Sequence, residues 1–185
     1  MIVLGVDPGT LITGYGIIES RNGKVKVLTS DAIKNASSKS MPLRLKLIYD
    51  RLTEVISKYH PDEFAIETAF YGKNAQSALK LGHARGVAML AAVAHEIPTQ
   101  EYSPREVKKA IVGNGNASKQ QVQYMVKSLL HLKELPKLYD VTDALAVAIC
   151  HLHRTVPHRT TYKSWKAYLT ANPEKLSSPR RVGSR

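Results

Sequence analysis

Four acidic side chains, each at the end of an apolar segment, are the residues of this sequence that could do chemistry: Asp7, Glu67, Asp140 and Asp143. Asp7 ends the apolar run of residues 2–6, which is typical of a strand buried on both faces, and Pro8-Gly9 turns the chain directly after it. Glu67 ends a second apolar run, and the two later aspartates open a third apolar segment. Carboxylates at the ends of separate core elements are what a metal-assisted phosphoryl-transfer site requires.

Each acid has a simpler structural explanation when it is considered alone. Asp-Pro-Gly is ordinary turn chemistry after a strand. Asp140 and Asp143 lie three residues apart, which is close to a capping box, and acids are favoured at a helix N-terminus in any case. Capping accounts for one of these aspartates more readily than for both. On a helix the two would share a face, so both could reach one site.

Four carboxylates at one site have a specific chemical use. Two divalent ions about 4 Å apart can activate a water on one side of a phosphodiester and stabilise the leaving oxygen on the other. Hard cations such as Mg²⁺ take oxygen ligands, typically a few carboxylates together with phosphate oxygens and water. Because like-charged carboxylates repel one another, a site that contains four of them presupposes bound cations.

The composition favours one domain with a polyanionic partner. A hydrophobic content of 43% over 185 residues is sufficient for a core. The formal net charge is +12, and residues 155–185 carry only part of the excess, so the body of the chain is basic in its own right.

The sequence is typical of an intracellular, cytoplasmic protein. Cys150 is the only cysteine, so no internal disulfide can form and a reducing compartment is expected. The chain begins directly with a strand-like run rather than with a signal peptide. No apolar run approaches the roughly 20 residues of a membrane span, so no membrane partner is expected.

The order of the predicted elements indicates an α/β fold. Residues 2–28 read as three strands joined by short turns, which predicts an antiparallel meander. Two further strands are predicted at 63–67 and 97–102, and the first of these follows a helix and should pair in parallel. Helices are predicted over 43–59, 74–95, 118–132 and 141–153, with another that starts at Ser103. This order predicts a five-stranded mixed sheet with helices on both faces.

Small residues form one face of the long helix predicted over 74–95. Ala78, Gly82 and Gly86 are spaced four apart and would let another backbone approach closely. Tight packing on the sheet and contact with a second subunit both explain this face.

The sequence changes character near residue 155. We predict a nuclease domain over residues 1–154 and a basic, aromatic, partly disordered extension over residues 155–185. Aromatic and basic side chains alternate in the extension: Tyr162, Lys163, Trp165, Lys166 and Tyr168. Such a segment can hold nucleic acid by stacking and phosphate contact, or it can dock on the domain.

Several motifs, in this order and spacing, resemble the RuvC-type Holliday junction resolvases. The matching motifs lie between residue 1 and about residue 153: Gly5-Val6-Asp7-Pro8-Gly9, Gly14-Tyr15-Gly16, Ala65-Ile66-Glu67, residues 73–86, Val112-Gly113 and Asp140-Val141-Thr142-Asp143. The resemblance implies a ribonuclease H-like fold and a homodimer that makes paired symmetric nicks in four-way junction DNA during recombination and repair. It also implies dependence on Mg²⁺, for which Mn²⁺ may substitute, with two ions per active site, and a branch-migration complex of the RuvA-RuvB type as a partner.

The resemblance assigns roles residue by residue. Asp7, Glu67, Asp140 and Asp143 match the catalytic and metal-binding acids of the family. The DNA-binding candidates are Phe70, Tyr71, Lys73, Arg85, Lys108 and Lys119, of which Phe70 matches an aromatic that stacks on junction bases. The chain departs from the pattern at Tyr71-Gly72, which puts the cleavage-sequence preference in doubt, and in the length of its extension.

Three other functions compete with junction resolution. An ATPase of the actin and sugar-kinase type shares Asp-x-Gly-Thr after its first strand, but it needs a second lobe for which 185 residues leave no room. A junction-binding protein without catalysis suits the basic charge, although bare carboxylates would weaken its phosphate binding. Another ribonuclease H-like nuclease with a different branched substrate stays open.

Overall fold

Five strands and five helices make up the part of the chain that the structure, a computed structural model, describes: residues 1–68, 75–155 and 170. The strands are β1 (Ile2–Asp7), β2 (Ile12–Arg21), β3 (Lys24–Lys34), β4 (Glu63–Glu67) and β5 (Thr99–Tyr102). The helices are α1 (Met41–Tyr59), α2 (Ala75–Val93), α3 (Pro104–Val112), α4 (Lys119–Leu129) and α5 (Tyr139–Thr155). Each predicted element occurs, in the predicted order. Residues Met1–Thr155 form one compact unit.

Some of the predicted features lie outside the described residues. Phe70, Tyr71 and Lys73 are among them, as are the aromatic residues of the predicted extension. The boundary predicted after residue 154 therefore stays a prediction. In the part of the chain that is described, none of the helices is both long and apolar enough to span a bilayer.

The five strands form one mixed sheet in the order β3-β2-β1-β4-β5. β1, β2 and β3 pair antiparallel, whereas β4 pairs in parallel with both β1 and β5. Asn22 and Gly23, both with positive φ, join β2 to β3, as expected for a two-residue hairpin turn. The predicted five-stranded mixed sheet is thus confirmed.

β2 and β3 are longer than their apolar runs predict. Polar residues such as Thr13 and Asp31 interrupt the hydrophobic pattern, yet backbone pairing continues from Arg21↔Lys24 to Ile12↔Lys34. Because hydrogen bonds between the strands do not depend on side-chain polarity, the ladder extends to the end of the sheet where Asp7 lies.

Helices cover both faces of the sheet, and each face has its own hydrophobic core. The face that carries Val3 and Ala65 packs on α3, α4 and α5. The face that carries Leu4 and Phe64 packs on α1 and α2. α2 contributes small buried side chains to the second core, among them Ala84 and Ala88.

Candidate active site

Asp7 and Glu67 lie side by side because their strands are parallel neighbours. Val6 pairs with Ile66, so the residues that end β1 and β4 come next to each other at the carboxyl ends of these two interior strands. Side chains alternate along a strand. Asp7 therefore shares a face with Gly5, and Glu67 shares a face with Ala65, which packs in the core beneath α5. Both carboxylates face the helix that carries the two other acids.

The turn after Asp7 is fixed by a threonine in β2. The Thr13 hydroxyl donates to the Gly9 carbonyl at 2.6 Å and accepts from the Gly9 N–H at 3.4 Å. Thr13 is fully buried, so solvent does not compete for these bonds. The turn prediction for Pro8-Gly9 is correct, and the same turn sets the position of the carboxylate before it.

α5 carries Asp140 and Asp143 within its first two turns. The helix begins at Tyr139, one residue before Asp140, so Asp140 lies inside the helix rather than at its N-cap. The capping-box interpretation of this aspartate pair is therefore wrong. The spacing of three places both side chains on one face of the helix, as predicted.

Three glycines of the sheet allow α5 to approach the strands very closely. A Cβ added at Gly14 would collide with the backbone of Asp140, and one added at Gly5 would collide with the backbone of Ala144 and Ala148. At Gly16 the added atom would meet the side chain of Leu145 instead. We call Gly5, Gly14 and Gly16 the glycine trough. Because they lack side chains, the N-terminal half of α5 can lie close to Asp7.

A hydrogen bond links the C-terminal half of α5 to β5. The Tyr102 hydroxyl and Nδ1 of His151 are 2.9 Å apart, and both side chains are almost fully buried. Tyr102 ends β5 beside Glu67 in the sheet register. α5 is therefore held at the glycine trough near its start and at the sheet edge near its end.

Burial and nearby negative charge raise the pKa values of Asp7, Glu67 and Asp143. Burial, followed by the charges of Glu67, Asp143 and Asp140, raises the pKa of Asp7 from 3.8 to about 8. Burial and the charge of Asp143 raise the pKa of Glu67 from 4.5 to about 7. Burial likewise raises the pKa of Asp143. Glu67, Asp140 and Asp143 are therefore all close enough to Asp7 for their charges to act on it.

Two predicted lysines face the same site. Lys119, the first residue of α4, places its Nζ 3.5 Å from Oδ2 of Asp143. Lys108 on α3 also contributes positive charge, since both lysines act to lower the pKa values of Glu67 and Asp143. The structure therefore brings Lys108 and Lys119 to the acids.

Arg85 lies elsewhere in the fold. Its guanidinium forms an ion pair with Glu101 of β5. Glu101 pairs with Ile66, whose side chain belongs to the core beneath α1 and α2. Arg85 is thus on the sheet face opposite to the acids, and its DNA contact stays a prediction.

The four acids fit a hard divalent cation by their donor chemistry. All of their ligand atoms are oxygens, and the raised pKa values of Asp7 and Glu67 reflect burial first and neighbouring negative charge second, both of which a bound cation would offset. Among residues 1–68 and 75–155, no three His, Cys, Asp or Glu side chains already form a complete metal-binding group. One of the four carboxylates, Asp143, is paired with Lys119 instead.

The glycine trough is the part of the site that the spacing of the acids does not reveal. Its sequence signal is Gly14 and Gly16, which alternate along one strand, together with Gly5 on the neighbouring strand. Glycine weakens a strand interior, so its recurrence on one face indicates close approach of another backbone.

Comparison with known proteins identifies the family. A family model described as Crossover junction endodeoxyribonuclease RuvC matches residues 3–151. The protein of that name from Salinibacter ruber is 46% identical over 178 residues, which is 96% of this chain and 99% of the relative. The Alkaliphilus metalliredigens protein of the same name is 54% identical over 153 residues, 83% of this chain and 93% of its own length. The Salinibacter match therefore includes most of the predicted extension, which is not peculiar to this chain.

Solved structures agree with these matches. Thermus thermophilus RuvC in complex with a Holliday junction substrate superposes with a TM-score of 0.78 and 33% identity, covering 82% of this chain and 93% of that one. The yeast mitochondrial resolvase Ydc2 shares the fold, with a TM-score of 0.58 at 15% identity over 80% of this chain and 77% of that one. The motifs, the sheet order and the matches over most of the chain lead to one conclusion: the chain belongs to the RuvC family of crossover junction endodeoxyribonucleases.

Proposed function

We propose that this chain is a structure-selective endonuclease that resolves four-way DNA junctions by paired nicks. The observation that carries the proposal is that Asp7 and Glu67, at the ends of β1 and β4, face Asp140 and Asp143 at the start of α5, in a chain of the RuvC family. The Thermus relative of known structure is in complex with a Holliday junction substrate, which supports the same substrate class here.

The acids would hold Mg²⁺ or Mn²⁺, with two ions as the expected number. Bound there, such ions would supply activation of a water and stabilisation of the leaving oxygen. The chain's own residues determine where this chemistry can happen. The Thr13–Gly9 turn positions Asp7, the parallel register positions Glu67, and the glycine trough positions the two aspartates of α5.

The two lysines would act on the DNA phosphate. Lys108 and Lys119 place ammonium groups beside the acids, where a scissile phosphate must lie to be cleaved. Positive charge at this point stabilises the charge that develops on the phosphate. Phe70, Tyr71, Lys73 and Arg85 stay predicted DNA contacts, and a branch-migration complex of the RuvA-RuvB type stays a predicted partner.

Cleavage of a synthetic four-way junction, beside a plain duplex of the same sequence, tests the function. We expect nicks in two strands of like polarity in the junction, no nicks in the duplex, and no cleavage in EDTA. Binding of the junction without cleavage in either Mg²⁺ or Mn²⁺ would favour a non-catalytic junction-binding protein. Equal cleavage of flaps, RNA–DNA hybrids and junctions would favour another ribonuclease H-like nuclease.

We further propose that the active species is a homodimer joined through α2. Five residues at helical spacing form an exposed stripe on this helix: Leu79, Gly82, Gly86, Leu90 and Val93. Apart from the adjoining backbone of α2 itself, no atom of the described chain lies within 4 Å of a Cβ added at Gly82 or Gly86, so packing on the sheet does not explain these glycines. A two-fold axis through the stripe would give two active sites related as the junction strands are.

Leu90→Asp is therefore expected to convert the dimer to monomers without unfolding the domain. The side chain is 58% exposed, so a charge there meets water in the monomer and an apolar partner in the dimer. Sedimentation equilibrium measures the change, and a supercoiled cruciform plasmid should then give nicked circles in place of linear product. Tyr124→Asp, at a residue 72% exposed on α4, is the matched control and should stay dimeric. A Leu90→Asp dimer as tight as the wild type would refute this interface.

A further inference from the structure

The backbone of Lys119 is fixed by a helix cap, whereas its charged side chain is largely exposed. Ser118 and Gln121 form a capping box at the start of α4, with the Gln121 N–H donating to Ser118 Oγ at 3.2 Å and the Ser118 N–H donating to Gln121 Oε1 at 2.8 Å. The box fixes the Cα of Lys119 beside the acids. Its side chain, in contrast, is 64% exposed and can adopt other positions.

The ammonium group has two neighbours at the site. It lies 3.5 Å from Oδ2 of Asp143 and 5.7 Å from the centre of the Tyr139 ring, with which it forms a cation–π contact. Among the described residues, Asp143 is the one acid of the four that has such an ion pair. Lys119 therefore neutralises one particular carboxylate of the site.

From this contact we infer that Lys119 is a built-in counter-ion that competes with a divalent cation for Asp143. An ammonium and a metal ion cannot both approach the same carboxylate oxygen closely, because their charges repel and their positions overlap. The inference rests on the proposed metal-dependent function and adds an order of events to it. Lys119 leaves Asp143 when the cation arrives, and its charge then becomes available to a DNA phosphate.

Binding of Mn²⁺ alone, without DNA, tests the competition. Free Mn²⁺ is followed by electron paramagnetic resonance during titration of the full-length protein. Lys119→Met keeps an apolar side chain of similar length and removes the ammonium, and we expect it to bind Mn²⁺ about twofold to fivefold more tightly than wild type, the range of an exposed ion pair. Lys119→Arg keeps the charge and should bind no more tightly than wild type.

Lys108→Met is the matched control for loss of charge. Lys108 acts on Glu67 and Asp143 through its charge. Its removal therefore measures how the loss of one nearby positive charge, without the loss of an ion pair, changes the affinity for Mn²⁺. The competition predicts a larger gain in Mn²⁺ affinity for Lys119→Met than for Lys108→Met. Equal gains in the two variants, or weaker binding by Lys119→Met than by wild type, would overturn it.

Mn²⁺ binding by Asp143→Asn shows whether a negative result refutes only the competition or the metal site as well. If Asp143→Asn weakens Mn²⁺ binding while Lys119→Met does not tighten it, the site is real and the competition is refuted. If wild type and Asp143→Asn bind Mn²⁺ equally, Asp143 is not a ligand, and both the metal assignment and the competition are overturned.

Discussion

Asp7→Asn is expected to abolish junction cleavage while junction binding survives. Asp7 lies at the centre of the acidic site, since the charges of Glu67, Asp143 and Asp140 all act on it. The amide keeps the shape of the side chain but loses the negative charge that a divalent cation needs. Cleavage should fall by about 10³-fold or more. Binding should persist or improve, because one source of repulsion toward phosphate is removed.

Single-turnover cleavage and gel-shift affinity for the same junction measure the two effects separately. Glu67→Gln and Asp143→Asn should behave like Asp7→Asn, and Asp140→Asn should also lose cleavage. Asp50→Asn, at an exposed residue paired with Lys46 on α1, is the matched control and should keep wild-type activity. Cleavage by Asp7→Asn within a few fold of wild type would refute the assignment of the active site.

The same substitution should stabilise the metal-free protein, and more so as the pH rises. The pKa of Asp7 is about 8 in the folded chain against 3.8 for the free side chain, so the folded state binds a proton over this interval that the unfolded state has lost. The stability that this proton provides is complete below about pH 4 and is lost as the pH rises through 8. Asparagine stays neutral throughout.

Denaturation in urea with EDTA, at pH 5 and at pH 8.5, measures this effect. We expect Asp7→Asn to raise the free energy of unfolding at pH 8.5 by roughly 2–5 kcal/mol, with a smaller gain at pH 5. Glu67 and Asp143, whose pKa values are raised as well, should leave the variant with part of the same pH dependence. The buried His151 acts in the opposite sense, because its lowered pKa favours the neutral form that is lost in acid. A variant less stable than wild type at pH 8.5 would contradict the electrostatic origin of these shifts.

Local sequence patterns predicted the strands, the helices and the four acids because each of these features depends on a few consecutive residues. An apolar run followed by Asp-Pro-Gly specifies both the end of a strand and a carboxylate at that end. The helix before β4 predicted that this strand pairs in parallel, but the sequence did not identify β1 as its partner. The observed pairing of β1 with β4 is what places Asp7 beside Glu67.

The same patterns did not predict how α5 lies on the sheet. The sequence predicts a close-approach face on α2 at Ala78, Gly82 and Gly86. In the structure, alanines such as Ala84 pack α2 against the sheet, whereas Gly82 and Gly86 face open space. The glycines that allow close approach of a helix are in the sheet instead, as at Gly14 under Asp140. A glycine in a strand and a glycine on a helix look alike in sequence, and only the contacts across the sheet tell them apart.

Substitution of the trough glycines should displace α5 and impair catalysis without removing any acid. A Cβ at Gly14 or Gly5 would meet the backbone of α5, which cannot rotate out of the way as a side chain can. We expect Gly14→Ala to lower the free energy of unfolding by about 1–3 kcal/mol, the usual range for an overpacked core. An exposed strand glycine replaced by alanine would be neutral or stabilising, so the sign of the change is informative. Cleavage and Mn²⁺ affinity should both fall, since Asp140 and Asp143 move away from Asp7.

Gly16→Ala provides the internal comparison, because the atom that it adds meets the side chain of Leu145 rather than the backbone. Its effect should be smaller than that of Gly14→Ala, and Leu145→Val in the same chain should restore part of the lost stability by returning about the volume that was added. No single side-chain substitution in α5 should rescue Gly14→Ala, since the obstacle there is the Asp140 carbonyl. Urea denaturation and junction cleavage of the two single variants and the double variant measure this difference. If Gly14→Ala is as stable and as active as wild type, α5 does not lie against the strands at this point, and the trough does not set the positions of the aspartates.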